Sequence, residues 1–216
     1  MSDTQAYSSF DLSNMSTGNS YKLLASLVMP RPIAWITTID AEGVVNAAPF
    51  SFFNLVSADP PLAAIGFSGA SDRQGKDTLA NIRATGELVI NLVSEELAQA
   101  MNITATAAPR GTDELALADL ERAASAQVKP PRIAASPASF ECRTFQFIEP
   151  GGQSTVLLAQ VVHVHVRRDA FENEARLHMD PAMLKLVGRM HGGGGYCTTR
   201  DIFELERLSW PITPKG

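Results

Sequence analysis

RPIAWITTIDAEGVVNAAPFSFFN, residues 31–54, is the stretch that decides the fold. Ile33, Trp35, Thr37 and Ile39 fall on one face of an extended strand, because successive strand side chains point to opposite faces. Asp40 to Gly43 has the composition of a tight turn, with Gly43 free to take a positive φ. Val44 to Ala48 returns as a second strand, and Pro49, which lacks an N–H, restricts how far its pairing can run. Phe50, Phe52 and Phe53 then interleave with Ser51 and Asn54. Rings beside a few oriented polar groups suit a flat heteroaromatic ligand, and they also suit an aromatic corner of a core.

Outward from this hairpin the chain alternates short apolar runs with helical insertions. Residues 1–18 are polar and form an N-terminal arm, and residues 19–216 form a single domain without an internal repeat or linker. Tyr21–Leu27 is a short helix ending before Pro30. Strands are expected at Leu62–Phe67, Glu87–Val93, Phe140–Ile148 and Thr155–Arg168. Asp77 is expected to cap a helix over Thr78–Thr85 that Gly86 stops, with Leu79 and Ile82 inward. Ser94 caps Glu95–Asn102, and Asp113 opens a helix with Leu117 and Leu120 inward. Prolines 130, 131 and 137 make residues 123–138 an irregular crossing, and Pro181–Val187 is a short helix. Alternating or short apolar strands favour a mainly β, closed antiparallel barrel with helical insertions over a doubly wound sheet.

Bulk properties exclude several classes. A net charge of −5 argues against a nucleic-acid surface, which carries a basic patch. The longest apolar run is far below the ~20 residues that span a bilayer, and the N-terminus has no signal-peptide pattern. Cys142 and Cys197 form no CxxC pair and read as reduced thiols of a cytoplasmic protein. One segment is built for an anion. Ser68 to Thr78 is rich in Gly and Ser, carries Arg73 and Lys76, and leads into a helix N-terminus whose free N–H groups and dipole favour negative charge. A solvated loop with ordinary surface cations is the plain alternative.

An ordered set of motifs identifies the chain as a likeness of one family. Val28-Met-Pro-Arg-Pro-Ile33, Asn46-Ala-Ala-Pro-Phe-Ser-Phe-Phe-Asn54, Ser57-Ala-Asp-Pro-Pro61, Lys76-Asp-Thr78 and Glu87-Leu-Val-Ile-Asn91, with a weaker echo at Gly188-Arg-Met190 and Tyr196, resemble the flavin reductase-like family in content and order. These are FMN-binding split barrels, antiparallel and of Greek-key type, that include flavoredoxins and the small reductase components of two-component monooxygenases. The resemblance implies flavin contacts at Thr37, Thr38, Asn46, Ala48, Pro49, Phe50, Ser51, Phe52, Phe53 and Asn54, and a phosphate seat at Ser68, Arg73, Lys76 and Thr78. Asp77 belongs to that segment, although a carboxylate suits a helix cap better than a phosphate neighbour. Arg189 and Tyr196 are further candidates, and the loop Gly192–Gly195, with His191 at its start, is placed to close over the flavin. Arg31, between two prolines, is a candidate to fix the start of the strand.

The implied activity is an FMN-dependent oxidoreductase that takes hydride from NADH or NADPH onto the flavin and passes electrons to free flavin, a ferric chelate or a partner protein. The alternative is a non-catalytic or electron-transfer FMN protein with a protein redox partner. No side-chain acid or base is required, with His191 the one candidate, because the cofactor carries the reaction. A homodimer with the flavin near its interface is expected, since a shallow ring site needs a second wall. No metal is expected. His163 and His165 lie two apart in VVHVHVRR, but no third ligand is evident, and the run reads as core valines alternating with a polar outer face.

Overall fold

The computed structural model describes residues 6–68 and 73–210, and of residues 73–76 the backbone alone. Helix α1 (Thr17–Leu27) precedes four strands, β1 (Ala34–Ile39), β2 (Val45–Phe50), β3 (Phe53–Ala58) and β4 (Pro61–Ser68). Then come α2 (Arg73–Thr85), β5 (Glu87–Asn91), α3 (Ala98–Ile103) and α4 (Glu114–Leu117). The short β6 (Arg122–Ala123) and β7 (Arg132–Ile133) lie in the crossing that leads to the long hairpin β8 (Ala138–Gly151) and β9 (Ser154–Val166). The remainder is β10 (Phe171–Asn173), β11 (His178–Met179), α5 (Pro181–Leu184), β12 (Val187–Arg189) and β13 (Tyr196–Thr198). Among the described residues no helix is long and apolar enough to cross a membrane.

Seven strands pair in the order β2-β1-β5-β8-β9-β4-β3, every pair antiparallel. The two edge strands are consecutive in sequence, with only Ser51 and Phe52 between them. Laid flat, seven strands at ~4.8 Å spacing put the edges about 29 Å apart. Three Cα steps span about 11 Å at most. The sheet must therefore roll until its edges lie side by side, which gives the expected split barrel. The closed barrel is not formed, because β2 and β3 share no ladder and the seam stays open. The corner is instead tied to β4, whose Gly66 N–H donates to the Phe52 carbonyl at 2.7 Å. A Cβ on Gly66 would lie 3.0 Å from the Phe52 Cβ, so this close approach requires glycine.

Rolling buries both faces of β1. Ala34 and Ile36 face the barrel interior with Ile65, Phe67, Leu88, Ile90 and Leu157, and Ile82 of α2 packs into the same core. Each fully buried Ile or Leu contributes about 1.5–3 kcal/mol relative to exposure. Ile33 and Trp35 face outward, where Met101 of α3, Leu115 of α4 and Ile133 of β7 cover them. The Trp35 Nε1–H donates to Thr104 Oγ at 2.9 Å, satisfying the one polar atom of a fully buried ring. At the hairpin tip Asp40 Oδ1 accepts from the N–H groups of Glu42 and Val44, and Gly43 has φ +87°.

Several expectations are corrected. Helix α1 starts at Thr17 under a Ser16 cap, four residues before Tyr21. Helix α2 starts at Arg73, so Asp77 lies inside it and is not its cap, although Gly86 stops it with φ +72°. Pairing of β2 continues through Pro49 and Phe50, which an edge strand tolerates. Ser94 makes no capping bond, and a 3-10 turn precedes α3. Asp113 does cap α4, but Leu115 is the buried leucine and Leu117 is exposed.

A buried polar network fastens α2 and α4 to the hairpin. Asn46 Oδ1 accepts from Thr78 Oγ at 2.6 Å and from Thr38 Oγ at 3.4 Å, and Asn81 Nδ2 donates to Thr38 Oγ at 3.1 Å. Glu114, 3% exposed, accepts from the Ala47 N–H at 2.9 Å and from Asn46 Nδ2 at 3.1 Å. Burial raises the Glu114 pKa above the ordinary range, the two hydrogen bonds oppose the rise, and Asp77 adds to it. A carboxyl whose folded pKa exceeds its unfolded value stabilises the fold below the unfolded pKa and loses that contribution as pH rises through the folded one. The wild-type melting temperature should therefore fall as pH rises just above the ordinary glutamate range. Glu114→Gln, neutral and still an acceptor for Ala47, should flatten that fall. Equal slopes in the two proteins would place the pH dependence elsewhere.

Candidate functional site

The Phe50–Phe53 corner opens onto a cleft of about 560 Å3 between α1 and the seam of the barrel. Leu24 and Val28 form one wall, Phe52 and Phe53 the other, and Ala64 and Gly66 of β4 join them. The volume falls within the roughly 300–1,000 Å3 of small-molecule sites, and the lining is apolar with few polar groups, among them Arg31, Ser51 and Asn54. The Tyr21 and Phe52 rings lie 5.9 Å apart, so helix α1 buttresses the corner directly.

Arg31 is the fixed charge of this cleft. It is 5% exposed. Its Nη1 donates to the carbonyls of Ala25 and of Val28, the latter at 2.7 Å, and its Nε donates to Ser51 Oγ at 3.4 Å. Those carbonyls lie at the end of α1, where the helix dipole favours a cation. Among the described residues its partners are carbonyls and a hydroxyl, and no carboxylate pairs with the guanidinium. The guanidinium also lies 5.9 Å from the centre of the Phe52 ring. Across the Pro30–Pro32 turn lies a second cleft of about 210 Å3, bounded by Leu92, Leu186 and Gly188. Arg31 and Arg189 exchange backbone hydrogen bonds of 2.9 and 2.8 Å at this turn. A Cβ on Gly188 would lie 2.9 Å from the Pro30 Cβ, so the Gly188-Arg-Met190 strand can approach only with glycine there.

The structure separates the expected residues into groups. Ser51, Phe52, Phe53 and Asn54 meet in the large cleft. Ala48 and Phe50 share the interior face of the hairpin with Ile36 and Ala34, their register partners, and Phe50 makes an edge contact with Phe67 at 4.8 Å. Pro49 pairs with Trp35. Thr38, Asn46 and Thr78 spend their side chains in the buried network, and Thr37 Oγ donates to the Pro131 carbonyl at 2.5 Å. Asp77 is half-buried in α2, its carboxylate 4.0 Å from Arg110 Nε. Ser68 ends β4, two residues beyond the cleft-lining Gly66. Residues 69–72 and the side chains of Arg73 and Lys76 lie outside what the structure describes.

A third group surrounds the glycine loop. Arg189 and Tyr196 are register partners on β12 and β13, with the guanidinium 4.8 Å from the tyrosine ring. His191 is exposed, and a Cβ on Gly195 would lie 3.1 Å from its Nε2, so the loop wraps the imidazole. Both cysteines are free thiols, and burial pushes the Cys142 thiol up, which keeps it protonated. The α1 wall of the cleft and the acceptor set of Arg31 are not legible in the sequence. Their only signal was an arginine held between prolines beside a helix with apolar side chains.

Comparisons with known proteins agree with this architecture. A protein of uncharacterized function from Deinococcus radiodurans is 40% identical over 209 residues, covering 95% of this chain and 92% of that one. The structure of nitrilotriacetate monooxygenase component B from Bacillus cereus is 30% identical with a TM-score of 0.86, over 93% of this chain and 100% of that one. The structure of 2-nitrobenzoate 2-nitroreductase from Pseudomonas fluorescens is 29% identical with a TM-score of 0.85, over 97% and 100%. Residues 25–197, from the α1 wall of the cleft to Cys197 of β13, match the flavin reductase like domain, and the chain belongs to that family.

Proposed function

We propose that the chain is an FMN-dependent oxidoreductase that accepts hydride from NADH or NADPH and passes the electrons on to free flavin, a ferric chelate or a partner protein. The observation that carries this reading is the corner cleft, which sets two phenylalanine rings and a fixed guanidinium around one space. FMN fits the residues present. Its ring requires flat apolar walls, and its polar edge requires a few oriented groups, which Arg31, Ser51 and Asn54 supply. Bound FMN would contribute the hydride-accepting chemistry, and the chain would bind, orient and tune it. Arg31 holds positive charge beside the ring position, and charge there favours added electron density.

The phosphate is assigned by this proposal to the segment Ser68–Thr78. Strand β4 lines the cleft and runs at Ser68 straight into that segment, and α2 begins within it. Leu24 and Val28, exposed apolar side chains that line the cleft, suit a second copy of the chain as the outer wall of the site. Light scattering should then give twice the chain mass of 23.2 kDa. A monomer that holds FMN and turns over would show that one chain completes the pocket.

Two further experiments test the reading. FMN-loaded protein mixed with NADH or NADPH without oxygen should lose its yellow absorbance. If FMN binds but neither nucleotide bleaches it, the protein is an electron carrier reduced by a protein partner. FMN should also bind more tightly than riboflavin. Arg73→Ala and Lys76→Ala should each weaken FMN by about 1.5–3 kcal/mol, as for charge-assisted hydrogen bonds, and riboflavin little. Equal losses for both ligands would move the phosphate elsewhere.

A further inference from the structure

The run Val161–Val166 is more than a strand with a polar face. In a regular strand His163 and His165 would share the face of Val161, which packs against the barrel interior. The register prevents this. Cys142 pairs with Val161 and Glu141 pairs with His163, so Val162 is an extra residue, a β-bulge, in β9. One extra residue flips every later side chain to the other face. His163 and His165 are thereby turned outward beside Glu141, while Cys142 stays in the core. The third group that the sequence did not reveal is thus a buried carboxylate on the neighbouring strand.

The geometry points to a metal site: we propose that Glu141, His163 and His165 bind a divalent transition metal of the zinc class on the outer wall of the barrel. One ligand atom from each residue lies within 4.8 Å of the others. His165 Nε2 is 2.6 Å from Glu141 Oε1, and the two imidazole rings are centred 4.7 Å apart. Zinc–nitrogen and zinc–oxygen bonds of about 2.0–2.2 Å set tetrahedral ligand atoms roughly 3.3 Å apart. The pair therefore needs to open by less than 1 Å for a metal to replace the hydrogen between them. Imidazole and carboxylate together suit zinc and its neighbours better than calcium or magnesium.

The surroundings of Glu141 are those of an oriented ligand. Its Oε1 accepts from the Ala126 N–H at 2.7 Å, and its Oε2 accepts from Gln127 at 2.6 Å and Val128 at 3.2 Å. Three backbone donors fix the carboxylate, as outer partners do for metal ligands. The histidines are half-buried, which leaves the remaining coordination positions to water. A bound metal would join the 126–128 turn, β8 and β9 in one cross-link, on residues outside the corner cleft.

The test is to dialyse the full chain with zinc chloride, then against metal-free buffer, and to count zinc by mass spectrometry. The wild type should retain one zinc per chain. His163→Gln, which leaves the bonds of Glu141 to the turn in place, should lose more than the roughly 10–100-fold in affinity that outer partners alone are worth. X-ray absorption at the zinc edge, which requires no variant, should show two imidazoles and no sulfur. A wild type that keeps no zinc, a His163→Gln protein that keeps it all, or a sulfur ligand from Cys197 would each overturn the proposal.

Discussion

Two residues, Ser51 and Phe52, join the opposite edges of a seven-stranded sheet, and most of the structure follows from that short link. It forces the sheet to roll, and rolling creates one interior core around Ile36, Ile65 and Leu157 and a second layer around Trp35. The seam between those edges carries no ladder. What would be lost hydrogen bonding is partly replaced by the Gly66 to Phe52 bond and by aromatic contacts. The open seam is also where a ligand can reach the barrel wall, so the feature that shapes the fold also positions the cleft.

Arg31 connects the fold to the chemistry. A buried arginine is costly unless its donors are satisfied, and here the end of α1 satisfies them. The same bonds hold α1 against the corner, and the backbone of Arg31 holds β12. One residue thus ties three elements together while leaving a positive charge at the cleft. A neutral replacement would loosen α1 and remove the charge in a single step, while the backbone bonds to Arg189 would stay in place.

Much of this was legible in the chain, and the parts that were not share physical causes. The β1–β2 hairpin follows from alternation and from Asp40 and Gly43, because both effects are local. The start of α2 is not legible, since Asp77 is as good a cap in sequence as any and the preceding turn has no apolar periodicity. In α4 a helix of four residues leaves too little pattern to choose between Leu115 and Leu117. The bulge at Val162 is invisible because valines fit either face of a strand. Glu141 joins His163 and His165 only across strands. The family resemblance singled out the motif Phe50–Asn54, four residues of which line the cleft, but it could not say that Thr38, Asn46 and Thr78 turn their side chains into a buried network.

The corner as the seat of the flavin ring is tested most directly by a crystal structure of the chain grown with FMN. The expected result is the ring against Phe52 and Phe53 with the Arg31 guanidinium at its edge, and the phosphate toward Ser68. The contradicting result is a flavin held elsewhere with the corner open, for instance in the separate cleft of about 610 Å3 between Pro137, Arg167 and Leu177.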